Sequence, residues 1–210
     1  KIGIWNWELS NVPHEVIINL KNFDEIWAPS TFCAQAFASI SHIPVVTIPY
    51  VVEIASEMPP KSEARAKFNI DQDMFVYLSQ FDSGSCIERK NPLGAIEAFT
   101  TAFQHANHRN KVMLIIKTVN LHYRKDFKAL LDAKISFYSA QGYNIRLITD
   151  RLDRDVSMAL KSACDVFLSL HRSEGFGFNI AEAMLMAKPT IATAFSSNTD
   201  FMNPGNSYLV

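Results

Sequence analysis

Apolar runs of four to six residues, closed off by turn residues, recur along the chain, and longer stretches with helical periodicity fill the gaps. The runs are IGIW (2–5), EIWAP (25–29), VVTI (45–48), MFVYLS (74–79), VMLII (112–116), IRLI (145–148), VFLSL (166–170) and TIAT (190–193). Several lack the polar alternation of a half-exposed strand, a pattern that fits strands covered on both faces. The intervening stretches predict helices near 13–21, 31–40, 92–106, 123–140, 153–163 and 178–187. Strands and helices alternating in this way predict right-handed βαβ units on a parallel sheet, an α/β fold.

The segment VVEIASEMPPKSEARAKF breaks the alternation with a proline pair and mixed charge. It predicts a linker at 51–60 between two α/β blocks, residues 1–50 and 61–210. The chain opens and closes inside strand-like runs (KIGIWNW and SYLV), so the expectation is a fragment: the end of one domain followed by most, but not all, of a second.

Composition excludes more than it selects. Lys and Arg number 20 against 21 Asp and Glu, a net charge of −1, which gives no electrostatic reason to expect nucleic acid or an anionic membrane surface. No apolar run approaches the ~18 residues that span a bilayer, and no signal-peptide pattern opens the chain. Cys33, Cys86 and Cys164 have no metal-type spacing, so buried free thiols in a reducing cytoplasm are expected.

Ligands of open parallel sheets collect at the carboxyl ends of the strands. Those ends carry QFDSGSCIERKNP, KTVN, TDR, HRSEGFG and AFSSN, so basic and hydroxyl-binding side chains share one edge. In ERKNPLGAIEAF, Asn91 suits a helix N-cap and Pro92 the first helical position. Arg89 and Lys90 then stand at the positive end of a helix, an arrangement that suits a diphosphate, although a solvated surface pair reads the same way. Lys117, ending an apolar strand, needs a partner, and a phosphate at the sheet edge is one. Asp82 and Glu88 share a loop whose composition suggests flexibility and closure over a ligand.

In LHRSEGFGFNIAEAM, Glu174 and Glu182 are separated by seven residues that include Gly175 and Gly177. The first glutamate falls in a loop before a helix, the second about one turn inside it. Carboxylates accept hydrogen bonds from sugar hydroxyls, so a diphosphate flanked by two of them describes a nucleotide sugar. An acidic residue that merely stabilises a helix N-terminus is the competing reading.

The stretch EGFGFNIAEAMLMAKPTIAT resembles the signature of glycosyltransferase family 4, RKNPLGAIEAF resembles that family's basic phosphate-binding segment, and DEIWAPSTFCAQAF with VTIPYVV resembles its interdomain crossover. The resemblance implies a GT-B fold: two Rossmann-like domains facing a cleft, with a nucleoside diphosphate sugar held mainly by the second. It implies that Lys90 binds phosphate, that Glu174 lies near the transferred sugar, and that Glu182 binds the ribose hydroxyls. Phe176, Gly177 and Phe178 would offer backbone amides, and His171 and Arg172 lie close enough to contact sugar or phosphate. It also implies retention of anomeric configuration without a metal or other cofactor, and a glycan or lipid-linked acceptor. Location in the cytoplasm follows, with peripheral membrane association through regions outside this chain. Gln80-Phe81-Asp82 stands where many members carry an arginine, and Arg89 is the candidate to replace it. Trp5, Trp7 and Glu8 are candidates for the acceptor cleft, with core packing an equal alternative for the two tryptophans. A GT-B nucleotide-sugar epimerase and a non-catalytic nucleotide-sugar-binding protein are the competing functions.

Overall fold

The computed structural model describes residues 1–54, 57–105 and 109–210. It contains two parallel sheets. The first joins β1 (Ile2–Ile4), β2 (Glu25–Ala28) and β3 (Val45–Thr47) through helices α1 (His14–Leu20) and α2 (Thr31–Ala38). Its core is Leu20, Ile26, Ala28, Cys33 and Phe37, against which Trp5 and Phe23 pack edge-on. Ser30 starts α2 as a true N-cap, its hydroxyl accepting from the Cys33 amide at 3.1 Å.

The second sheet has six strands: β4 (Phe75–Asp82), β5 (Val112–Val119), β6 (Asn144–Ile148), β7 (Val166–Ser169), β8 (Thr190–Ala192) and β9 (Tyr208–Leu209). Helices α3 (Lys61–Lys67), α4 (Ile87–Lys90), α5 (Pro92–Ala102), α6 (Lys125–Ser139), α7 (Arg154–Ala163) and α8 (Phe178–Leu185) cover it. The unbroken apolar run of β5 now has its reason. Met113 and Ile115 enter a core with Val76, Leu78, Leu160 and Ile180, while Leu114 and Ile116 enter a second core with Ile96, Phe99 and Leu131. A strand with a core on each face has no use for polar alternation.

Every predicted strand forms, and the tail SYLV supplies β9 beside β8. Two helices lie outside the predicted set, α3 and α4. The helix expected over 92–106 ends at Ala102, and residue 106 lies outside the described residues. No helix or strand lies between Thr47 and Lys61 among the described residues.

The strand order β6-β5-β4-β7-β8-β9 reverses direction between β4 and β7. Chain connections leave β4 on one side and β7 on the other, opening a crevice at their carboxyl ends. The segments after these two strands carry Arg89, Lys90 and Glu174.

Candidate active site

The segment after β4 is more ordered than its composition suggests. Gln80, Phe81 and Asp82 remain in the strand, paired with Lys117, Thr118 and Val119. The Asp82 carboxylate accepts from the Gly84 amide and the Asn120 side chain, each at 2.8 Å, and Ser83 pairs with Thr118 at 2.7 Å. A tied turn therefore replaces the expected flexible loop and leads straight into α4.

Asn91 joins α4 to α5 in the left-handed conformation (φ 51°). Pro92 takes the first helical position as expected, but the Asn91 side chain does not cap α5. Its amide donates to the Leu170 carbonyl at 2.8 Å and ties α5 to the segment leaving β7. Arg89 and Lys90 thus form the last turn of a short helix docked against residues 170–174.

The two cations have different fates. Arg89 is only 4% exposed. Its guanidinium donates to the Ser173 carbonyl (2.7 Å) and the Ser85 hydroxyl (2.6 Å), and it pairs with Glu8 at 2.5 Å and Glu174 at 3.3 Å. Both terminal nitrogens are committed to protein groups, so Arg89 organises the site instead of presenting a free charge. Lys90 meets the other Glu174 oxygen at 2.6 Å and lines the cavity.

Glu174 follows β7 with its amide held by the Ser196 hydroxyl at 2.8 Å. Its carboxylate bridges Arg89 and Lys90, so two positive and two negative side chains (Arg89, Lys90, Glu8, Glu174) balance at the crevice. Gly175 does not open toward a ligand. A side chain there would meet Asn6 and the Trp7 carbonyl, and the Gly175 carbonyl accepts from Ser30 at 2.8 Å and from Cys33 at 3.1 Å. This glycine exists for the seam between the two sheets. Gly177, at φ 91°, makes the turn into α8.

At that turn the Gly177 carbonyl receives the Ile180 and Ala181 amides at 3.0 Å each. The amides of Gly177, Phe178 and Asn179 precede any intrahelical partner and form the positive end of α8. Phe178 is half-exposed and stacks on Tyr50 (5.2 Å, 18°), which also meets Phe176 edge-on at 5.3 Å.

Asn6, Glu8 and Tyr50 come from the first block. With Gln80, Lys90, Ser169, Glu174 and residues 176–180 they line a cavity of about 180 Å³. Among the cavities that share lining residues with it, two hold Arg89 and Glu182 respectively. One, about 330 Å³, shares Phe178 and is lined by Val51, Val52, Glu53, Arg154 and Glu182. The other, about 440 Å³, shares Asn6 and Glu8 and adds Trp7, Leu9, Cys86 and Arg89. A larger cavity of about 560 Å³ on the first sheet is lined by Trp5, Val16, Phe23 and Phe37 and contains no titratable side chain. Its size is not matched by chemistry.

Four expectations need correction. Lys117 does not reach the crevice: it is 3% exposed and its ammonium donates to the Thr118 and Asp150 carbonyls at 2.9 and 2.8 Å. The partner it needed is the backbone, and burial holds its pKa below the usual lysine range. His171 is 1% exposed, with its ring nitrogens near Ser169, the Phe195 carbonyl and Asn198, a strand-end brace and not a ligand contact. Arg172 is exposed and lines none of these three cavities; its amide donates to the Arg89 carbonyl at 2.7 Å. Arg89 is enclosed, as described above. Trp5 and Trp7 both pack on the first core; Trp7 also edges the Glu8 cavity and donates to the Asn11 carbonyl at 2.8 Å.

Sequence reasoning missed Asn6, Tyr50 and Asn179, polar or aromatic residues with no distinguishing local signal. It also missed Lys161, 2% exposed and 2.9 Å from Glu182. That residue did leave a signal, a lysine inside the apolar stretch MALKSAC.

Comparison with known proteins follows the same lines. The sequence model described as "Glycosyl transferases group 1" matches residues 60–210. A search of curated proteins gave no match. Among solved structures, HepE of Anabaena, in complex with UDP and glucose, superposes with a TM-score of 0.75 at 18% identity, using all of this chain and 57% of that one. A glycosyltransferase from Rickettsia africae gives 0.78 at 19% identity, over all of this chain and 55% of that one. A UDP-forming trehalose-phosphate synthase from Burkholderia xenovorans gives 0.74 at 13%, over all of this chain and 56% of that one. The chain therefore spans a little over half the length of these structures.

Proposed function

The chain belongs to the glycosyl transferases group 1 family and has the α/β architecture of the GT-B type, and from that premise we propose that it carries the donor site of a retaining hexosyltransferase. The donor is a nucleoside diphosphate sugar, and the acceptor a glycan or a lipid-linked glycan. Transfer proceeds without a metal cofactor. The protein works in the cytoplasm, at the membrane face if the acceptor is lipid-linked. Among the described residues no helix is long and apolar enough to cross a membrane.

One observation carries the reading: Lys90 and Glu174 meet at 2.6 Å in the crevice where strand order reverses, beside the positive end of α8. A diphosphate arriving at α8 competes with Glu174 for Lys90. Exchange of the carboxylate for phosphate leaves Glu174 held by Arg89 and ready to accept hydroxyls of the transferred sugar. Lys90 and the amides of residues 176–178 then take up the charge that grows on the leaving diphosphate. Arg89 acts through others, fixing the Ser173 carbonyl and the second Glu174 oxygen. The nucleoside extends past Phe178 into the Glu182 cavity, with Glu182 on the ribose, and the acceptor approaches from the Glu8 side. Three neighbouring cavities, holding Glu8, Lys90 with Glu174, and Glu182, fit a ligand with a sugar at one end and a nucleoside at the other.

Calorimetric titration of the intact protein with UDP-, GDP- and ADP-sugars tests this. Glu182→Ala is expected to weaken nucleotide binding, and Glu174→Ala to spare binding while lowering transfer. If both variants keep wild-type binding and turnover, the reading fails.

A further inference from the structure

Helix α7 is mostly a core helix, yet one stripe of it is polar. Arg154, Ser157 and Lys161 fall three and four residues apart and therefore share a face. Arg154 and Lys161 reach groups that line the Glu182 cavity, and Ser157 reaches Gln80 in the Lys90 cavity. Arg154 donates to the Glu53 carbonyl at 2.8 Å, Ser157 accepts from Gln80 at 3.2 Å, and Lys161 pairs with Glu182 at 2.9 Å.

Lys161 is the anomaly in this stripe. It is among the most completely buried large side chains of the chain, at 2% exposure, while Glu182 keeps 20% of its side-chain surface and borders the cavity with Glu53, Arg154 and Phe178. A buried ammonium is costly unless paired, so it holds its carboxylate firmly. Among the described residues Glu182 is the ion-pair partner the structure gives it. The 2.9 Å contact is made by the Oε2 oxygen, and Glu182 itself lines the cavity.

We propose that Lys161 is a positioning residue for the nucleoside half of the site: from beneath α8 it fixes the Glu182 carboxylate to meet the vicinal hydroxyls of a ribose. The inference rests on the assignment of Glu182 to the ribose and adds the group that makes that contact selective. A carboxylate free to rotate would accept hydroxyls with little discrimination between ribose and deoxyribose. One locked on a single side loses a defined hydrogen bond when the hydroxyls are missing.

The test compares affinity for a nucleoside diphosphate with affinity for its 2′,3′-dideoxy analogue, in the intact protein, using whichever of UDP, GDP or ADP binds best. Wild type is expected to prefer the ribose form by about tenfold or more, the scale of a hydrogen bond to a charged group. Lys161→Met should reduce that preference to about twofold or less, and Lys161→Arg should restore part of it. Loss of packing alone would lower both affinities together and leave their ratio unchanged. The double variant Lys161→Met/Glu182→Ala guards against misfolding, because it removes both charges of the pair. Its affinity for the ribose form is expected to equal that of Glu182→Ala. A ratio in Lys161→Met equal to wild type, or a double variant in which the two effects multiply, overturns the proposal for Lys161. If Glu182→Ala itself keeps the wild-type ratio, the ribose assignment has failed, which is a separate outcome.

Discussion

Gly175 offers a sharp test of how the two sheets meet. In Gly175→Ala the added methyl would lie 2.8 Å from the Trp7 carbonyl oxygen and closer still to Asn6. Asn6 is exposed and can swing away; the Trp7 carbonyl is backbone and already accepts from Cys33 at 2.7 Å. Two effects favour alanine. Reduced freedom of the unfolded chain is worth about 0.4–1 kcal/mol, and burial of one methyl about 0.8 kcal/mol. Gly175 does not have positive φ, so backbone strain adds nothing against the change. Opposing them is overpacking against fixed backbone, about 1–3 kcal/mol, together with weakening of the bonds from Ser30 and Cys33 to the Gly175 carbonyl, roughly 1 kcal/mol each. The balance is a net loss of about 1–4 kcal/mol. For a chain of this size that lowers the melting temperature by roughly 2–16 °C. Differential scanning calorimetry reads it directly. A melting temperature equal to or above wild type would refute the close seam at Gly175.

Lys117→Met should leave nucleotide-sugar affinity within about twofold of wild type, since its ammonium serves backbone carbonyls within the sheet; a tenfold loss in titration would return Lys117 to the phosphate site. With a thiol reagent at neutral pH, Cys86 alone should react in the folded protein and all three cysteines after denaturation, because Cys33 and Cys164 are buried; mass spectrometry of the labelled peptides decides. Burial pushes the Cys164 thiol up from 9.0 to about 12. The unfolded chain loses this proton first, so Cys164 contributes a fall in stability as pH rises from about 9 towards 12. Lys117 and Lys188, whose pKa values burial lowers, contribute the opposite slope up to their unfolded value near 10.5. Subtracting the denaturant-measured stability of Cys164→Ala from that of wild type across this range isolates the thiol, and a flat difference would contradict its burial. Glu8→Gln removes one charge from the crevice and weakens the 2.5 Å tie to Arg89; stability should fall by about 1–2 kcal/mol in urea denaturation, against no change if the tie is a surface pair.

The fold was legible because its cause is repetitive. Eight apolar runs mark eight strands, and β5 lacks alternation since it feeds two cores. The short helices were harder. The residues of α3 lie in a charged segment that follows a proline pair, and the four of α4 are too few for periodicity to register. At the site, the sequence carried residue types and positions along the chain but not their partners. Glu174 and Lys90 lie 84 residues apart and meet, which strand ends at one edge made foreseeable. Arg89, Lys117 and His171 reside at the same edge and turn inward, because each finds carbonyl, hydroxyl or carboxylate partners within the protein. Local sequence does not report which cation is already satisfied. Gly175 likewise looks like a ligand-facing glycine until the first sheet is placed against it.

The central claim is that Lys90, opposite Glu174 at the β4–β7 crevice, receives the diphosphate of a nucleotide sugar. The most direct measurement is calorimetric titration of the intact wild-type protein and its Lys90→Met variant with UDP-, GDP- and ADP-sugars. Wild type should bind at least one of them, and the variant should bind that ligand about 10- to 100-fold more weakly, as loss of a charge-assisted phosphate contact requires. Binding of none of the three by wild type, or equal affinity in the two proteins, would contradict it.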